Sequence, residues 1–516
     1  MGVKFKFPAM KKLILLLSFF ALSFNAFNNP IIGADTIRID GKLVLVLLVD
    51  GYGAGYEYGR LLGEPIADVM ENYVINHTFG GATNYQYARQ IFDQKFIYDA
   101  KYEQIAQGML DGMEDAGVSI YSPTLGENLT FKDVLIANSI PDFTAFGKFN
   151  IQGPGCSDLM SWGDATANSE LGGELVISRN LDWESNPYLI NNALIIIWGN
   201  LSGEGQRIIT LGFTGLIGAL SGINESGVAT FQNMGNYNYA PIGTDFYPVN
   251  LAQRDGLESW DYNNDGVCSP RDVSDAVRAH NVSSTFIINS AASSGNEPPA
   301  EVLEIHNSFG DTIRTIAQNP DYFGDNLVST NHFRLLKPPS TCYRYSRIAD
   351  SLETNNQLDI QRNWQLLQAA GVSTNLQTIQ YIPYQQKLRF SFAEIGTPAY
   401  QIEPTEVSLD TLFSYVGIDE MANSSSNLVQ IFPNPCQDHA QIQIKASVHG
   451  TALCKIFDLT GKTIFKKEVT LNKGKITEIG WGTSEVYSGI YFCHLEIFNL
   501  EKQKLGSDTR KIIVSK

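Results

Sequence analysis

The sequence predicts an α+β fold followed by a small all-β domain at the C-terminal end. Before residue 156, apolar residues recur at helical spacing, and in GRLLGEPIADVMENYV the side chains of Leu62, Ile66, Val69 and Tyr73 fall on one face. After residue 156, short strand-like runs such as ALIIIWG and RIITLGFTG follow one another, separated by Gly, Asn and Ser. Near residue 421 the polar stretch MANSSSN precedes a further strand-rich tail. Such a density of strands indicates stacked antiparallel sheets with helices against them.

Length and charge set the outer limits of this prediction. A chain of 516 residues is too long for one compact core, so we expect more than one domain. The formal net charge of −17 opposes binding to a phosphate backbone, and we therefore expect no nucleic-acid partner.

The N-terminus has the features of a targeting signal. Four lysines within the first twelve residues precede the apolar run 13–22, which is too short to span a bilayer comfortably. Small residues that suit cleavage follow at Ala21 and Ser23, and again at Ala26. We predict a signal peptide over 1–26, export, and no later membrane anchor, with a short uncleaved anchor as the alternative.

The most informative stretch runs from Gly153 to Trp183. Cys156 follows Gly155, and a hairpin of two strand-like runs leads from it to Arg179 and Asp182. A thiol attacks carbonyl carbons as the thiolate, and a guanidinium nearby favours that form. A glycine before the cysteine leaves its own carbonyl open to attack. Taken alone, however, a cysteine in a strand is more often a small buried apolar residue.

Two segments of this stretch, GCSDLMSWGDAT and ISRNLDW, resemble the nucleophile hairpin of a known enzyme family. That family unites acid ceramidase, N-acylethanolamine-hydrolysing amidase, choloylglycine hydrolase, penicillin V acylase and the acyl-CoA:6-aminopenicillanic-acid acyltransferase. The resemblance implies a four-layer αββα Ntn-hydrolase sandwich. It also implies that the precursor cuts itself between Gly155 and Cys156 and that the new α-amine becomes the general base.

Three further segments are similar to the family in chain order. GINESGVATFQN resembles the stretch that ends at an oxyanion-hole asparagine, which is Asn233 here, with Gln232 as the alternative. STNHF resembles the segment with a second asparagine, here Asn331, and CYRYSR resembles the segment with an arginine, here Arg344. The resemblance implies that Asn331 and Arg344 complete the polar shell of the site.

The remaining roles follow from the same resemblance. Cys156 would attack an amide carbonyl, Arg179 would favour its thiolate, Asp182 would accept a hydrogen bond from the α-amine, and Asn233 would hold the oxyanion together with a backbone N–H. The thioester would then be hydrolysed by water or captured by an amine. We thus expect a hydrolase acting on carbon–nitrogen bonds other than peptide bonds, or an acyltransferase, with a small-molecule amide or lipid substrate and no catalytic cofactor.

A candidate calcium loop lies in the less regular region 236–326. DYNNDGVCSPRD fits the twelve-position loop and precedes a predicted helix, VSDAVRAH. An aspartate at position twelve resembles dockerin loops more than EF-hands. We predict a structural calcium ion, with an ion-free Asx-rich turn as the alternative. The predicted ligands are Asp261, Asn263, Asp265, the Val267 carbonyl and Asp272.

The tail resembles the C-terminal sorting domain of the type IX secretion system of Bacteroidetes. The opening FPNP, the turn DLTGK, the strand SGIY and the basic end occur in that order. The resemblance implies contact with the type IX secretion machinery and a secreted or cell-surface protein, whereas an ordinary β-sandwich module is the alternative.

These signals divide the chain into successive parts. They are a signal peptide over 1–26, a mainly helical pro-segment or small subunit over 27–155, a catalytic domain over 156–420 with a calcium-loop insertion near 255–285, a linker over 421–426 and a β-sandwich sorting domain over 427–516. We expect the two self-cleaved subunits to remain associated. The alternative functions are a phospholipase B-like lipid hydrolase, which shares the Ntn fold, and an inactive calcium-dependent surface binding protein.

Overall fold

The structure is a computed structural model, and it describes two long parts of the chain. They are residues 33–415, with gaps at 148, 150, 152–154, 201–204, 238–240, 294, 339 and 341, and residues 429–516, with gaps at 435, 446–448, 459–461, 474, 485, 500–501 and 503. The predicted signal peptide 1–26 and linker 421–426 lie outside these residues.

Five of the α-helices in the described residues precede Cys156, and the other six lie between or after the strands that follow it. The α-helices are α1 (Gly51–Asp68), α2 (Ala82–Lys95), α3 (Ala100–Asp115), α4 (Phe131–Asn138), α5 (Ile140–Phe143), α6 (Pro187–Asn191), α7 (Val249–Glu258), α8 (Pro270–Arg278), α9 (Tyr343–Thr354), α10 (Ile360–Ala369) and α11 (Leu409–Ser414). A π-helix, Val69–Thr78, continues α1, and single 3₁₀ turns occur at Gly163–Ala165, Ile316–Gln318, Pro383–Gln385 and Ala399–Gln401.

The strands up to residue 408 are short and mostly buried. They are β1 (Ala34–Ile39), β2 (Lys42–Leu47), β3 (Tyr121–Ser122), β4 (Glu127–Asn128), β5 (Gly155–Ser161), β6 (Val176–Asp182), β7 (Ala193–Trp198), β8 (Ile208–Phe213), β9 (Ser221–Asn224), β10 (Ala229–Met234), β11 (Thr285–Ala291), β12 (Ala300–His306), β13 (Gly310–Arg314), β14 (Asn326–Ser329), β15 (Asn375–Ile382), β16 (Lys387–Phe392) and β17 (Thr405–Ser408).

These strands form two large sheets. The first has nine strands in the order β1-β2-β7-β8-β9-β10-β11-β12-β13, and the second has six in the order β14-β5-β6-β15-β16-β17. Neighbouring strands are antiparallel except β2 and β7, which run parallel. The prediction of a mixed fold with large sheets and helices is thus confirmed. Strands β1 and β2 add to the segment before Cys156, for which the sequence indicated mainly helices.

Alternating side chains of the strands separate two cores. On β2, Val44 and Val46 pack between the two sheets, whereas Leu45 and Leu47 pack against the helices that precede Cys156. The even split follows from the two-residue period of a strand. On the other side of the six-stranded sheet, helices α9 and α10 pack against β5 and β14, with Leu159 and Val328 in the contact.

Helices α1 and α3 cross at glycines. A Cβ atom added to Gly55 would lie 1.9 Å from the carbonyl oxygen of Ile105, and one added to Gly108 would lie 2.2 Å from that of Tyr52. Only glycine permits this approach of two helix backbones. The crossing holds the helices before Cys156 together as one folded unit, in agreement with the amphipathic pattern.

The C-terminal part, as described, contains strands arranged in two small sheets. The strands are β18 (Val429–Phe432), β19 (His439–Lys445), β20 (Gly450–Asp458), β21 (Thr463–Leu471), β22 (Ile476–Gly482), β23 (Gly489–Asn499) and β24 (Lys504–Val514). One sheet has the order β18-β19-β22 and the other the order β21-β20-β23-β24. The sulfur atoms of Cys454 and Cys493 lie 3.5 Å apart, which is hydrogen-bond distance and too long for a disulfide bond. Among all described residues, no helix combines the length and apolarity needed to cross a membrane.

Candidate active site

The predicted nucleophile hairpin is present as strands β5 and β6. Cys156 lies opposite Leu181, Asp158 opposite Arg179, and Gly155 opposite Asp182. Because side chains alternate along a strand, Cys156 and Asp158 point to the same face of the six-stranded sheet as Arg179. The hairpin therefore brings the predicted nucleophile and the arginine to one face of the sheet, while the predicted carboxylate, Asp182, lies beside Gly155 at the alternate position of β6.

The Cys156 thiol is fully buried next to the Arg179 guanidinium. Arg179 Nη2 lies 3.4 Å from Sγ and donates to the Gln232 carbonyl oxygen at 2.5 Å, while Nη1 donates to Ser221 Oγ. Burial raises the pKa of the Cys156 thiol to about 11, and the positive charges of Arg179 and Arg344 oppose this rise. In the uncut chain the thiol is thus neutral near pH 7, and a proton acceptor is needed for attack.

Both backbone groups of Cys156 are held by predicted site residues. The Cys156 N–H donates to Asn331 Oδ1 at 2.8 Å, and Arg344 Nη1 donates to the Cys156 carbonyl oxygen at 3.0 Å. Arg344 Nη2 also donates to Asn331 Oδ1 at 2.5 Å, and Asn331 Nδ2 donates to the Met234 carbonyl at 2.6 Å. The structure therefore fixes the peptide nitrogen that would become the α-amine.

Asp182 is the carboxylate partner of Arg344. Arg344 Nη1 lies 2.8 Å from Asp182 Oδ2, and Asn375 Nδ2 donates to Asp182 Oδ1 at 3.0 Å. Burial raises the pKa of Asp182, and the charge of Arg344 counteracts that rise. A Cβ atom on Gly155 would lie 2.9 Å from Arg344 Nη1, so glycine at this position leaves room for the guanidinium beside the predicted cleavage bond.

The predicted oxyanion asparagine is occupied elsewhere. Asn233 Nδ2 donates to Asp158 Oδ2 and lies 3.2 Å from Ser329 Oγ, so these two side chains, and not the thiol, are its side-chain partners. Gln232, the alternative, follows the opposite alternation along β10, and neither of its buried side-chain amide atoms has a hydrogen-bond partner. Of the other five predicted catalytic residues, three contact Cys156 directly, namely Arg179, Asn331 and Arg344. Asp182 is joined to Cys156 through Arg344, and Asn233 bonds to Asp158 instead.

Three polar residues at the site were not predicted from the sequence. Ser221 accepts from Arg179, Asn375 donates to Asp182, and Asp158 accepts from Asn233. Asp158 could have been predicted from the sequence, because a residue two positions after Cys156 in a strand points to the same face. Asn375 and Ser221 come from distant strands and carry no local signal.

The predicted calcium loop lies between α7 and α8. Its backbone N–H groups point at the predicted ligands: Asp265 and Gly266 donate to Asp261, and Val267 donates to Asp265. Both oxygens of Asp272 accept backbone N–H groups, those of Tyr262 and Ser269 among them. Within the described residues, no three His, Cys, Asp or Glu side chains converge as a metal site. The oxygen chemistry of the loop suits calcium, but Asp272 already accepts hydrogen bonds as the third helical residue of a capping box whose N-cap is Ser269.

Comparison with protein-family models identifies the tail. Residues 430–515 match the family described as secretion system C-terminal sorting domain. This match confirms the type IX sorting tail predicted from the sequence, and it indicates a protein that is secreted or displayed at the cell surface. It also implies that the tail meets the secretion machinery. No curated protein matches the chain.

Solved amidase structures are among those similar to the chain. An N-acylethanolamine-hydrolyzing acid amidase orthologue from Caenorhabditis elegans is 18% identical, with 44% of this chain and 93% of that chain covered and a TM-score of 0.34. A mutant of conjugated bile acid hydrolase from Clostridium perfringens is 12% identical, with 50% and 94% covered and a TM-score of 0.31. Another variant of that hydrolase is 10% identical, with 52% and 90% covered and a TM-score of 0.25. TM-scores this low carry no argument about the activity of the chain. Any proposal about its activity therefore depends on the contacts around Cys156.

Proposed function

We propose that the chain is a secreted, self-cleaving Ntn hydrolase that breaks a non-peptide amide bond through a thioester on Cys156. The observation that carries this proposal is the double anchoring of the Cys156 backbone. Its N–H is held by Asn331, its carbonyl by Arg344, and its thiol lies 3.4 Å from Arg179. A buried structural cysteine needs none of these three contacts.

The first reaction would cut the chain. The Cys156 thiol loses its proton, Sγ bonds to the Gly155 carbonyl carbon, and the Gly155–Cys156 C–N bond breaks as its nitrogen takes up a proton. Water then hydrolyses the resulting thioester, releasing the Gly155 carboxylate and leaving Cys156 with a free thiol and a free α-amine. Because Cys156 is fully buried before the cut, a substrate can reach the thiol only after the cut opens a path to it.

The second reaction would use the new α-amine as the base. Its intrinsic pKa of roughly 7.7–8.0 lets it accept the thiol proton near neutral pH. The thiolate attacks the amide carbonyl, the amine product leaves with a proton from the α-ammonium group, and water or an acceptor amine takes the acyl group. Asn331 already binds the nitrogen, and Asp182 would accept one of the protons that the amine gains.

The fold supports the architecture that accompanies this chemistry. We propose a four-layer αββα sandwich, in which the helices before Cys156 cover the nine-stranded sheet and α9 and α10 cover the six-stranded sheet. The two products of the cut would remain associated. Tyr102, before the cut, donates to Asp255 after it at 2.7 Å, and β2 pairs with β7 across the same boundary.

Intact mass and N-terminal sequencing of the secreted protein test the proposal directly. We expect a fragment whose first residue is Cys156, together with a smaller fragment that ends at Gly155 and co-purifies with it. An uncut chain whose Cys156 also resists an iodoacetamide-type probe would support the binding-protein alternative instead.

The substrate is best sought by a screen of N-acyl amides, bile salt conjugates, penicillin V and lysophospholipids. Turnover of at least one of the first three classes by the cleaved protein is expected, and turnover of lysophospholipids alone would favour the phospholipase B-like alternative.

Calcium remains a separate proposal for the loop 261–272. Ligand binding stabilises the folded state by about 2.7 kcal/mol at a hundredfold excess over Kd, so added Ca²⁺ should raise the melting temperature by a few degrees. The double variant Asp261→Asn, Asp265→Asn should lose this increase, whereas Asp164→Asn on an exposed turn should keep it. A melting temperature that Ca²⁺ leaves unchanged in the unaltered protein would contradict the proposal.

A further inference from the structure

Asp158 is a buried carboxyl group that the reaction described above does not use. It is fully buried, lies two residues after Cys156 and stands directly opposite Arg179 in the hairpin. An ionised carboxylate at such a position normally forms an ion pair with the arginine. Within the described part of the chain, no ion pair joins Asp158 to Arg179. The guanidinium instead donates to Ser221, to the Gln232 carbonyl and towards the Cys156 thiol.

The hydrogen bonds of the neighbouring asparagine point to a proton on Asp158. Asn233 Nδ2 donates to Asp158 Oδ2, but Asp158 Oδ1 and Asn233 Oδ1 are both buried acceptors without a partner. A buried acceptor without a hydrogen-bond partner lowers the free energy of unfolding, and here each of two side chains in contact carries one. A hydrogen atom between the two oxygens would satisfy both of them. A protonated carboxyl supplies one, because its O–H donates while its other oxygen accepts.

The hydroxyl group of Ser329 lies near Asp158 but donates its proton to another residue. Its Oγ lies 2.5 Å from Asn289 Oδ1, and Asn289 Nδ2 donates to the Phe231 carbonyl, which fixes that amide with its oxygen towards the serine. The single hydroxyl proton of Ser329 is therefore used on Asn289. It is not free for Asp158 Oδ2, which lies 3.4 Å away. Among the described residues, the Asn233 amide is then the one donor that stays bonded to the carboxyl, because the buried Arg179 Nε has no hydrogen-bond partner either. One donor is too few for a buried carboxylate.

We propose that Asp158 is a neutral carboxylic acid in the folded chain and forms a cyclic pair with Asn233, donating through one oxygen and accepting through the other. Asp158 is a positioning residue in this arrangement: it holds the Asn233 amide between the sheets and leaves the charge of Arg179 to the Cys156 thiol. The second part rests on the proposed function, whereas the protonation of Asp158 does not.

The charges around Asp158 agree with this assignment. On its own strand Asp158 shares a face with the titratable Cys156, and on β6 it lies opposite Arg179. Strands β10 and β14 present the neutral Asn233 and Ser329, and the charge of Asp182 acts from the alternate position of β6. Burial raises the pKa of Asp158 to about 7, with Arg179 lowering it and Asp182 raising it. An ionised Asp158 would in turn raise the pKa of the Cys156 thiol. The neutral acid therefore favours thiolate formation.

The pH dependence of stability separates a neutral Asp158 from an ionised one. In the unfolded chain an aspartate loses its proton near pH 4, whereas folded Asp158 keeps it to about pH 7. The folded state then binds more protons in this window, so its stability falls as the pH rises from about 4 to about 7. An asparagine at 158 does not titrate and retains both hydrogen bonds to Asn233, so it mimics the protonated acid.

The test compares melting temperatures between pH 5 and pH 8 in the uncut Cys156→Ala chain, so that it is independent of cleavage and turnover. The melting temperature of Cys156→Ala with Asp158→Asn, relative to that of Cys156→Ala, should rise steadily between pH 5 and about pH 7 and level off towards pH 8. Asp158→Ser in the same background does not titrate at this position but loses the pairing with Asn233. It should therefore melt at a lower temperature than Asp158→Asn at both pH 5 and pH 8, while its melting temperature changes with pH in the same way as that of Asp158→Asn. The exposed Asp164→Asn should run parallel to Cys156→Ala throughout.

Parallel curves for Asp158→Asn and Cys156→Ala would overturn the proposal, as would an Asp158→Asn chain that does not fold although Asp158→Ser does. In chains that keep Cys156, the self-cleavage rate of Asp158→Asn relative to that of the unaltered protein should rise between pH 5 and pH 8, as the native Asp158 ionises. If no chain cleaves at any pH, the proposed function fails while the melting curves still decide the state of Asp158.

Discussion

Cys156→Ala should yield a full-length, folded chain that neither cuts itself nor turns over any amide substrate. The methyl side chain offers no nucleophile, and the Asn331 and Arg344 contacts to the backbone at 156 do not need the sulfur. Loss of a nucleophile that acts with its neighbours as a unit costs roughly a thousandfold or more in rate. Intact mass after expression and an activity assay on the purified chain give both readouts.

A matched cysteine makes the comparison sharp. Cys268→Ala removes a partly exposed free thiol near Gln206, remote from the predicted nucleophile, and should leave cleavage unchanged. Turnover retained in Cys156→Ala would refute the assignment of the nucleophile. Loss of cleavage in both variants would instead indicate a general effect on folding.

Arg344→Ala should have the second-largest effect, because one guanidinium joins three groups of the site. It contacts the Cys156 carbonyl, Asp182 and Asn331, at 3.0, 2.8 and 2.5 Å. Asp182 is 2% exposed and would be left as a buried charge without its counter-ion, which typically costs 3–5 kcal/mol of the free energy of unfolding. We expect a fall in melting temperature and self-cleavage slowed by about a hundredfold or more.

The neighbouring helix turn provides the control for Arg344. Arg347 is exposed on the same helix, its guanidinium 4.8 Å from the Tyr343 ring centroid, and Arg347→Ala should change neither property appreciably. Arg344→Lys keeps the charge but not the fork, so it should recover part of the stability and little of the cleavage. Normal cleavage in Arg344→Ala would show that the arginine has only a structural role.

Local patterns predicted the parts of the site that local sequence determines. The hairpin β5–β6 follows from two alternating runs, and the register of that hairpin places Arg179 on the face of Cys156 and Asp182 opposite Gly155. Arg344 and Asn331 were predicted through resemblance, and both lie within hydrogen-bond distance of the Cys156 backbone. Their roles in catalysis remain predictions.

Long-range partners could not be predicted in the same way. Asn375 contacts Asp182 across 193 positions, and that contact depends on the pairing of β15 with β6 rather than on any neighbour in sequence. The continuous apolar run of β2 has no alternation, because both of its faces are buried, so its length and pattern do not separate strand from helix. The region 236–326 looked irregular, yet it folds into α7, α8 and β11 to β13 around the loop.

The parallel pairing of β2 with β7 affects how the proposed mature enzyme refolds and how long it stays folded. Before the cut, folding is unimolecular, since β2 and β7 belong to one chain. After the cut, the same sheet is shared by two polypeptides, so recovery from denaturation becomes bimolecular and depends on concentration. At the dilution expected outside a cell, the persistence of such a protein is governed by its rate of unfolding rather than by an equilibrium. Self-cleavage would thereby convert a thermodynamically folded precursor into a kinetically trapped enzyme.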